Sequence, residues 1–232
     1  MKTRLQNRIS NEWIVRKNKV LKLFRKLYSD QHQLTSTTFE DRYPELFEES
    51  RRALTDFADK ETSILSFGCS TGEECFSLRK YFTESTIIGV DINRRNLVKA
   101  RKKNSDQKIR FIYSSEENIK NEGPYRIIFC LSVLCRWEDT KDLDNCEKIY
   151  PFSKFQDTVN MLSEKLLPGG LLVIYNSNFA FEDTDLYTHS EYVTIDAPSV
   201  SDSGFVTKFD RRGNRVPGIH KSCIYRKRHG IV

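Results

Sequence analysis

The sequence predicts an α/β fold, a doubly wound, mostly parallel sheet with antiparallel C-terminal strands and a short helical N-terminal extension. Three observations support this prediction. From residue 63 onward, short apolar runs alternate with helix-forming segments, which is typical of parallel strands joined by crossover helices. Before residue 60 the apolar residues recur at helical spacing, and after Phe179 the chain becomes rich in Thr, Tyr, Ser and Asp. We therefore expect a basic, helical extension over residues 1–60 and a sheet domain over residues 61–232.

The elements are predicted in chain order. Apolar spacing favours a helix over residues 10–29, and Pro44 suits the first turn of a second helix over residues 44–58. In the alternating part, the predicted strands are Ser63–Phe67, Thr86–Val90, Ile109–Tyr113, Arg126–Leu131 and Leu171–Asn176. The predicted helices between them are Glu73–Phe82, Arg95–Lys102 and Phe152–Leu166, with a weak helix or loop at Glu116–Asn121. A turn is predicted at Pro168-Gly169-Gly170, before the last of these strands. The tail adds strand-like pieces at Tyr192–Ile195, Gly204–Phe209 and Ser222–Arg226, with a turn signal at Asp210–Asn214. Two late antiparallel strands are expected to close the sheet.

The basic charge of the chain is concentrated at its N-terminal end. The 232 residues include 38 Lys and Arg against 32 Asp and Glu, and nine of the basic residues lie within residues 1–28 beside one acid, Glu12. Such a segment can contact nucleic acid, an acidic partner or, through residues 10–29, a membrane surface; the simpler interpretation is a solvated helix face. No apolar run is long enough to span a bilayer, and the cysteines and histidines lack metal-ligand spacing. We expect a cytoplasmic protein without a transmembrane segment or a bound metal.

The stretch Gly68-Cys69-Ser70-Thr71-Gly72 lies between a predicted strand and a predicted helix. Its two glycines permit a left-handed turn and leave no Cβ beside a ligand, and the amides at the helix start are unpaired. Asp91 ends the next strand, so both features are expected beside one crevice at the carboxyl edge of the sheet. A carboxylate there can accept both hydroxyls of a ribose, whereas the simpler interpretation is that Asp91 or Asn93 caps the next helix. The pattern predicts a nucleoside site.

The composition of the turn restricts the nucleoside. Ser70 stands where dinucleotide-binding turns carry the middle glycine that admits a pyrophosphate, and no P-loop motif is present. S-adenosylmethionine has no phosphate; its carboxylate can meet the turn amides, and its cationic centres favour an acid such as Glu73. The same residues spell Gly-x-Ser-x-Gly, the nucleophile elbow of serine α/β-hydrolases. A hydrolase that uses Ser70, with His189 or His220 as base, is therefore the alternative from another reaction class.

Four stretches resemble the chemotaxis-receptor glutamate methyltransferases, the CheR family. Phe67-Gly68-Cys69-Ser70-Thr71-Gly72-Glu73-Glu74 is similar to the first motif of that family. The segment from Ser36 to Phe47 is similar to its upstream N-x-T-x-F-F-R-D-P-x-x-F segment, with Thr38, Arg42, Pro44 and Phe47 in register. Ile128–Leu134 and Leu167–Leu171 are similar to two further motifs. The resemblance implies a Rossmann-like methyltransferase domain with S-adenosylmethionine as methyl donor.

The resemblance also implies roles for individual residues. The expected cofactor-binding residues are Thr38, Arg42, Gly68, Cys69, Ser70, Gly72, Glu73, Asp91, Ile92, Ser115, Glu116, Leu131 and Ser132. Ser115 and Glu116 are expected to flank the adenine, although ordinary loop packing is the simpler interpretation of both. Arg42 and Arg136 are the expected catalytic residues, because either cation can hold a carboxylate acceptor.

The methyl acceptor is expected to differ from a receptor glutamate. Leu131-Ser132 stands where the family has R-N, and Arg136 stands where it has an active-site tyrosine. The chain between Asp91 and Ile109 has room for one helix, but not for the inserted β-subdomain of the family. We therefore expect O-methylation of a small molecule or a glycan, with a protein carboxylate second and nucleic acid third. A domain of this kind can also be a binding module without activity, which the intact glycine turn argues against.

Overall fold

A computed structural model describes residues 31–54, 62–200, 204–218 and 222–229. The chain divides into two compact units, Met1–His32 and Gln33–Val232, and every element given below belongs to the second. The helix predicted over residues 10–29 lies outside the described residues, and the predicted domain boundary at residue 60 stays a prediction. In the part of the chain that the structure describes, no helix is long and apolar enough to cross a membrane.

The sheet has seven strands in the order β3-β2-β1-β4-β5-β7-β6. The strands are β1 (Ser63–Phe67), β2 (Thr86–Asp91), β3 (Ile109–Tyr113), β4 (Tyr125–Leu131), β5 (Leu166–Tyr175), β6 (Tyr192–Ile195) and β7 (Ile224–Lys227). The first five strands run parallel, and β7 runs antiparallel to both β5 and β6. The predicted fold class is thus confirmed. Chain order reverses between β1 and β4, which opens a crevice at their carboxyl ends.

Helices cover both faces of the sheet. They are α1 (Pro44–Ala53), α2 (Glu73–Tyr81), α3 (Arg94–Lys103), α4 (Glu116–Glu122), α5 (Trp137–Thr140), α6 (Phe152–Lys165) and α7 (Asp185–Thr188), with a 3-10 turn at Phe181–Asp183. Local sequence accounts for several starts: Pro44 opens α1, and the Asn93 side chain accepts hydrogen bonds from the first amides of α3. The helix that the sequence left open at Glu116–Asn121 forms as α4, capped by Ser115.

The strands are apolar on both faces, as expected for a parallel sheet buried between helices. Ile64 pairs with Ile87 and Ile127, and these side chains enter one core cluster with residues of α1, α2 and α3. The next residues along the strands, Leu65, Ile88 and Ile128, enter the cluster on the opposite face with residues of α6. This alternation fixes the register of the strands and therefore the height at which each strand ends.

Two local predictions are wrong. The Pro168-Gly169-Gly170 segment is not a turn before β5 but a bulge within it, because Leu166 pairs with Tyr125 while Leu171 pairs with Ile127. A Cβ on Gly170 would lie 2.8 Å from the carbonyl oxygens of Arg126 and Leu167, so glycine permits this close approach. The strand predicted at Gly204–Phe209 does not form, apart from a single bridge between Phe209 and Arg215.

Residues 204–209, here called the strap, cross the carboxyl end of β5 in irregular conformation. The side chains of Asn176 and Asn178, which follow β5, hold the strap by hydrogen bonds, where a strand would use backbone-to-backbone hydrogen bonds. The Val206 amide donates to Asn176 Oδ1 at 3.0 Å, and Asn178 Nδ2 donates to the Thr207 carbonyl at 2.8 Å. Asn178 Oδ1 also accepts from the Arg136 amide at 2.7 Å. Side-chain hydrogen bonds thus satisfy a backbone that sequence patterning assigned to a strand.

Substitution of Asn178 by alanine is expected to lower the free energy of unfolding by about 2–4 kcal/mol, because the Thr207 carbonyl and the Arg136 amide lose their partner in a buried position. Urea denaturation measures this change. Asn145→Ala is the matched control, since Asn145 also holds a backbone carbonyl, that of Arg212, but in an exposed position. Equal losses in the two variants would contradict the role given to Asn178.

Candidate active site

The crevice at the carboxyl ends of β1, β2 and β4 is lined by the glycine turn after β1. Gly68 and Gly72 have φ values of +85° and +96°, and Ser70 between them also has a positive φ of 51°. The amides of Gly68 and Cys69 both donate to the Val90 carbonyl, which ties the turn to the end of β2. A left-handed serine is uncommon, and such strain occurs mainly where surrounding contacts impose it.

Asp91 provides those contacts. Its Oδ2 accepts a hydrogen bond from the Ser70 amide at 2.9 Å, and its Oδ1 accepts one from the Asn93 amide at 2.6 Å. Burial raises the pKa of the Asp91 carboxyl, and the two amides oppose that shift. Asn93, and not Asp91, caps α3, so Asp91 is a link between the glycine turn and the start of α3. Each of its oxygens keeps a lone pair for a further donor.

Residues 33–43, here called the covering segment, lie against this crevice. Asn96 Nδ2 donates to Ser36 Oγ at 3.0 Å, and the Asp41 amide donates to Ser77 Oγ on α2 at 2.8 Å. The Arg42 guanidinium donates to the Thr37 carbonyl and lies 5.0 Å from the centroid of the Tyr43 ring. Part of the segment from Ser36 to Phe47, which resembles the upstream segment of the CheR family, is therefore placed against the turn.

The two acids that follow the turn point to different places. Glu73 accepts from Lys103 and from the Thr71 hydroxyl, each at 2.6 Å; burial raises its pKa, but these contacts outweigh burial and lower it. Glu74 instead accepts from Ser66 Oγ on β1 at 2.7 Å. Burial raises the pKa of Glu74 to about 7, against the opposing effects of Ser66 and Arg42. Glu74, which the sequence did not single out, is thus the acid beside Arg42.

The remaining expected cofactor residues lie around the glycine turn and Asp91 and make contacts of other kinds. Ser115 accepts from the Asn118 amide as the cap of α4, and Glu116 is exposed and paired with Lys120. Leu131 is buried in the core beneath the site, and Thr38 and Ile92 are partly buried. The simpler interpretation of Ser115 and Glu116 thus describes their contacts in the structure.

A cluster of three polar side chains occupies the other end of the crevice, where β4 and β5 end. Tyr43 Oη lies 2.6 Å from Ser132 Oγ, and Asn176 Nδ2 donates to the same Ser132 oxygen at 2.7 Å. Ser132 was expected in the site, but Tyr43 and Asn176 were not. The available signal was positional, since a polar residue directly after a buried parallel strand lies at the ligand-binding edge.

Basic side chains surround this end of the crevice. The Arg136 amide is bound to Asn178, and its guanidinium lies 3.3 Å from Asp139. Lys208, only 4% exposed, donates to the Ser177 carbonyl at 2.8 Å. Burial raises the pKa of the Cys135 thiol, and a backbone hydrogen bond at Trp137 and then the charges of Lys208, Arg42 and Arg136 oppose that rise. The two arginines expected to be catalytic and a buried lysine therefore all carry charge near the end of β4.

A doubly wound sheet with a glycine turn after β1, held by an acid at the end of β2, defines an S-adenosylmethionine-dependent methyltransferase of the Rossmann-like class. Comparison with known families agrees. The family model described as a methyltransferase domain matches residues 38–207, and the chain belongs to this family.

Curated relatives and solved structures are similar over part of the chain. The malonyl-[acyl-carrier protein] O-methyltransferase of Priestia megaterium is 25% identical over 139 residues, which are 59% of this chain and 45% of the relative. The enzyme of the same name from Halalkalibacterium halodurans is 31% identical over 137 residues, 57% of this chain and 44% of the relative. The matched region thus spans less than half the length of either relative. TehB from Haemophilus influenzae shares the fold, with a TM-score of 0.50 at 12% identity, over 80% of this chain and 62% of that one.

These findings confirm the S-adenosylmethionine-dependent methyltransferase class that the resemblance implies. They do not confirm membership of the chemotaxis-receptor family. They also decide against the serine hydrolase. The Ser70 hydroxyl donates to the Ser36 carbonyl at 3.4 Å and accepts from Asn96 at 3.5 Å. Among the described residues, no histidine is hydrogen-bonded to it. The Gly-x-Ser-x-Gly pattern is therefore part of the methyltransferase turn and not a nucleophile elbow.

Proposed function

We propose that this domain transfers a methyl group from S-adenosylmethionine to a carboxylate oxygen of a small-molecule acceptor. The observation that carries the proposal is the presence of three basic residues at this end of the crevice: the Arg42 guanidinium lies 5.0 Å from the centroid of the Tyr43 ring, the Arg136 amide is bound to Asn178, and Lys208 donates to the Ser177 carbonyl. A neutral glycan hydroxyl would make no use of this positive potential. The curated relatives are named for a malonyl acceptor, and a malonyl group carries a free carboxylate.

The donor site proposed here uses the turn and its neighbours. The turn fits the donor because Gly68 and Gly72 carry no Cβ, and Asp91 keeps lone pairs for the hydroxyls of a ribose. In this proposal Glu74 binds the ammonium group of the donor. Glu73 is bound to Lys103, so Glu74 takes the role that the sequence gave to Glu73.

When bound, S-adenosylmethionine supplies a methyl group already activated by its sulfonium. The residues of the chain then have to align the acceptor and exclude water. A carboxylate is deprotonated at neutral pH, so the acceptor needs no general base. Arg42, Arg136 and Lys208 supply the charge that holds it, and the buried end of β4 limits the access of water.

Methyl transfer to defined acceptors tests this proposal. The protein is incubated with S-adenosylmethionine carrying a labelled methyl group and with malonyl-coenzyme A, malonyl-acyl carrier protein or a neutral oligosaccharide. We expect label in the malonyl compounds, released as methanol by mild alkali, because methyl esters hydrolyse under these conditions and methyl ethers do not. Transfer to the oligosaccharide alone would overturn the proposal of a carboxylate acceptor.

A protein carboxylate is the second candidate acceptor. It is supported by the likeness of the segment from Ser36 to Phe47 to the chemotaxis-receptor enzymes. The reaction with malonyl-coenzyme A separates the two candidates, because no acyl carrier protein is present and label in precipitated protein then marks a protein carboxylate.

The position of Glu74 predicts a pH dependence of donor binding. With a pKa of about 7, Glu74 is largely protonated at pH 6 and ionised at pH 8. If the ionised form binds the ammonium group, the affinity for S-adenosylhomocysteine should rise about tenfold between these values. Isothermal titration calorimetry at each pH measures the change. Glu74→Gln should abolish the pH dependence, and Glu73→Gln should retain it; the reverse result would return the role to Glu73.

A further inference from the structure

We infer that Tyr43, Ser132 and Asn176, the hydroxyl–amide cluster, present one hydroxyl proton to the acceptor oxygen and so position it for methyl transfer. This inference rests on the proposed function and names the residues that complete its acceptor site. The three side chains come from separate elements, the start of α1 and the residues that follow β4 and β5. Only the tertiary structure brings them together.

The backbone at two of these positions is held in an uncommon conformation. Ser132 and Asn176 both have a positive φ of 55°, directly after parallel strands. Such conformations cost free energy in non-glycine residues and persist where surrounding contacts impose them. The Ser132 amide donates to the Tyr175 carbonyl, and Gly204 of the strap packs directly on the Asn176 side chain. Neighbouring strands and the strap therefore fix both side chains.

The direction of the hydrogen bonds follows from one backbone amide. The Val206 N–H can only donate, so the atom of Asn176 that faces it at 3.0 Å is the carbonyl oxygen. The amide nitrogen of Asn176 then faces Ser132, so Ser132 Oγ accepts that bond. The strap thereby sets the direction of the bond between Asn176 and Ser132.

The number of hydroxyl protons shows whether the cluster can donate a hydrogen bond to a further group. Tyr43 and Ser132 carry one hydroxyl proton each, and the 2.6 Å bond between them uses one of the two. No other described residue accepts a hydrogen bond from either hydroxyl. Whichever of them donates to the other, one proton remains for a third group. The cluster is therefore a donor to an acceptor oxygen.

The cluster donates a proton in a hydrogen bond and does not remove one. Burial raises the pKa of Tyr43, and its bond to Ser132 and the charge of Arg42 compensate only in part, so the phenol stays protonated at neutral pH. The Tyr43 ring is fixed edge-on against Tyr175, with ring centroids 5.1 Å apart. The Arg42 guanidinium lies 5.0 Å from the centroid of the Tyr43 ring. Arg42 thus supplies charge and the cluster supplies direction for the same anionic acceptor.

Reversal of the polarity tests this inference. In Asn176→Asp the carboxylate still accepts from Val206 but cannot donate to Ser132. Ser132 then donates to the carboxylate and accepts from Tyr43, so both protons are consumed without loss of side-chain volume. Tyr43→Phe and Ser132→Ala each leave one hydroxyl proton but remove the bond between the two hydroxyls. Asn176→Asp, which consumes both protons, should therefore weaken acceptor binding most.

The probe is sodium malonate, titrated by calorimetry into protein saturated with S-adenosylhomocysteine. We expect Asn176→Asp to weaken malonate binding at least about tenfold, and Tyr43→Phe and Ser132→Ala, which keep one hydroxyl proton, to weaken it less. Binding of S-adenosylhomocysteine should stay within about twofold of the wild type. Tyr192→Phe is the matched control, since Tyr192 makes a buried 2.7 Å hydrogen bond to Ser163 on the far side of the sheet and should leave malonate binding unchanged.

Two results would overturn the inference: no binding of malonate by the wild-type complex, or equal binding by wild type and Asn176→Asp. A merely structural role would reduce the unfolding free energy or the affinity for S-adenosylhomocysteine and leave malonate binding unchanged. Failure of the proposed function is seen separately, because the wild type would then bind no S-adenosylhomocysteine or form no alkali-labile methyl ester.

Discussion

Replacement of Asp91 by alanine is expected to weaken the binding of S-adenosylhomocysteine by at least about 100-fold, since the proposed ribose acceptor is removed and two partly buried amides that shape the turn lose their acceptor, at a cost of about 1–3 kcal/mol each. These are the amides of Ser70 and Asn93, at 2.9 Å and 2.6 Å from the carboxylate. Without the carboxylate, the left-handed Ser70 has lost the contact that holds it, and the proposed ribose acceptor is gone as well. Isothermal titration calorimetry gives the affinity, and urea denaturation shows how much of the loss is structural.

Two further variants sharpen this experiment. Asp91→Asn preserves volume and one acceptor oxygen but turns an NH₂ group toward one of the two amides, so its loss should be smaller than that of Asp91→Ala. Asp142→Asn changes the same functional group at an exposed position and should have no effect. Affinity of Asp91→Ala within about threefold of the wild type would remove Asp91 from the donor site.

Substitution of Gly68 by alanine is expected to lower the free energy of unfolding by about 2–5 kcal/mol and to abolish donor binding. Two effects add. At a φ of +85° an L side chain is strained, and its Cβ would lie 2.4 Å from Cγ2 of Val133. Because Val133 follows the end of β4, relief of this clash has to move either the turn or the β4 end of the crevice.

The two effects can be measured apart. At Gly218, φ is also positive, at +104°, but a Cβ would meet no described atom within 4 Å. Gly218→Ala therefore reports the cost of backbone strain without a clash. Val133→Ala combined with Gly68→Ala removes the 2.4 Å contact with Cγ2, keeps one of 2.8 Å with the Cβ of residue 133, and leaves the strain. We expect this double variant to recover part of the loss; equal stability of the single and double variants would show that steric contact with Val133 is unimportant.

The sequence predicted most of the sheet because the signals for its strands and helices are local. Ser63–Phe67 and Ile109–Tyr113 were placed with their observed bounds, since each is a short apolar run between turn-forming residues. Local reasoning failed at the bulge in β5, where Pro168-Gly169-Gly170 has the composition of a turn but lies inside a strand that neighbouring pairs impose. It failed also in the strap, whose hydrogen-bond partners are side chains about 30 residues earlier in the chain.

In the candidate site, too, the sequence predicted some residues and could not predict others. The glycine turn and Asp91 could be found because strand ends in a doubly wound sheet meet at one edge, whatever the details of packing. The sequence could not show whether Glu73 or Glu74 faces the crevice, because adjacent helical positions point about 100° apart. Only their partners, Lys103 for Glu73 and Ser66 for Glu74, show this.

By itself, the sequence determined the class of fold, the glycine turn after β1 and the acid that ends β2, since each depends on residue type and spacing within a short stretch. Only the tertiary structure decided which side chains form the proposed acceptor site. Tyr43, Ser132 and Asn176 are far apart in the chain, and the polarity of their hydrogen bonds depends on a backbone amide, Val206, in a strap without regular structure. Contacts of this kind arise from the packing of distant segments, which periodicity and local propensity do not encode.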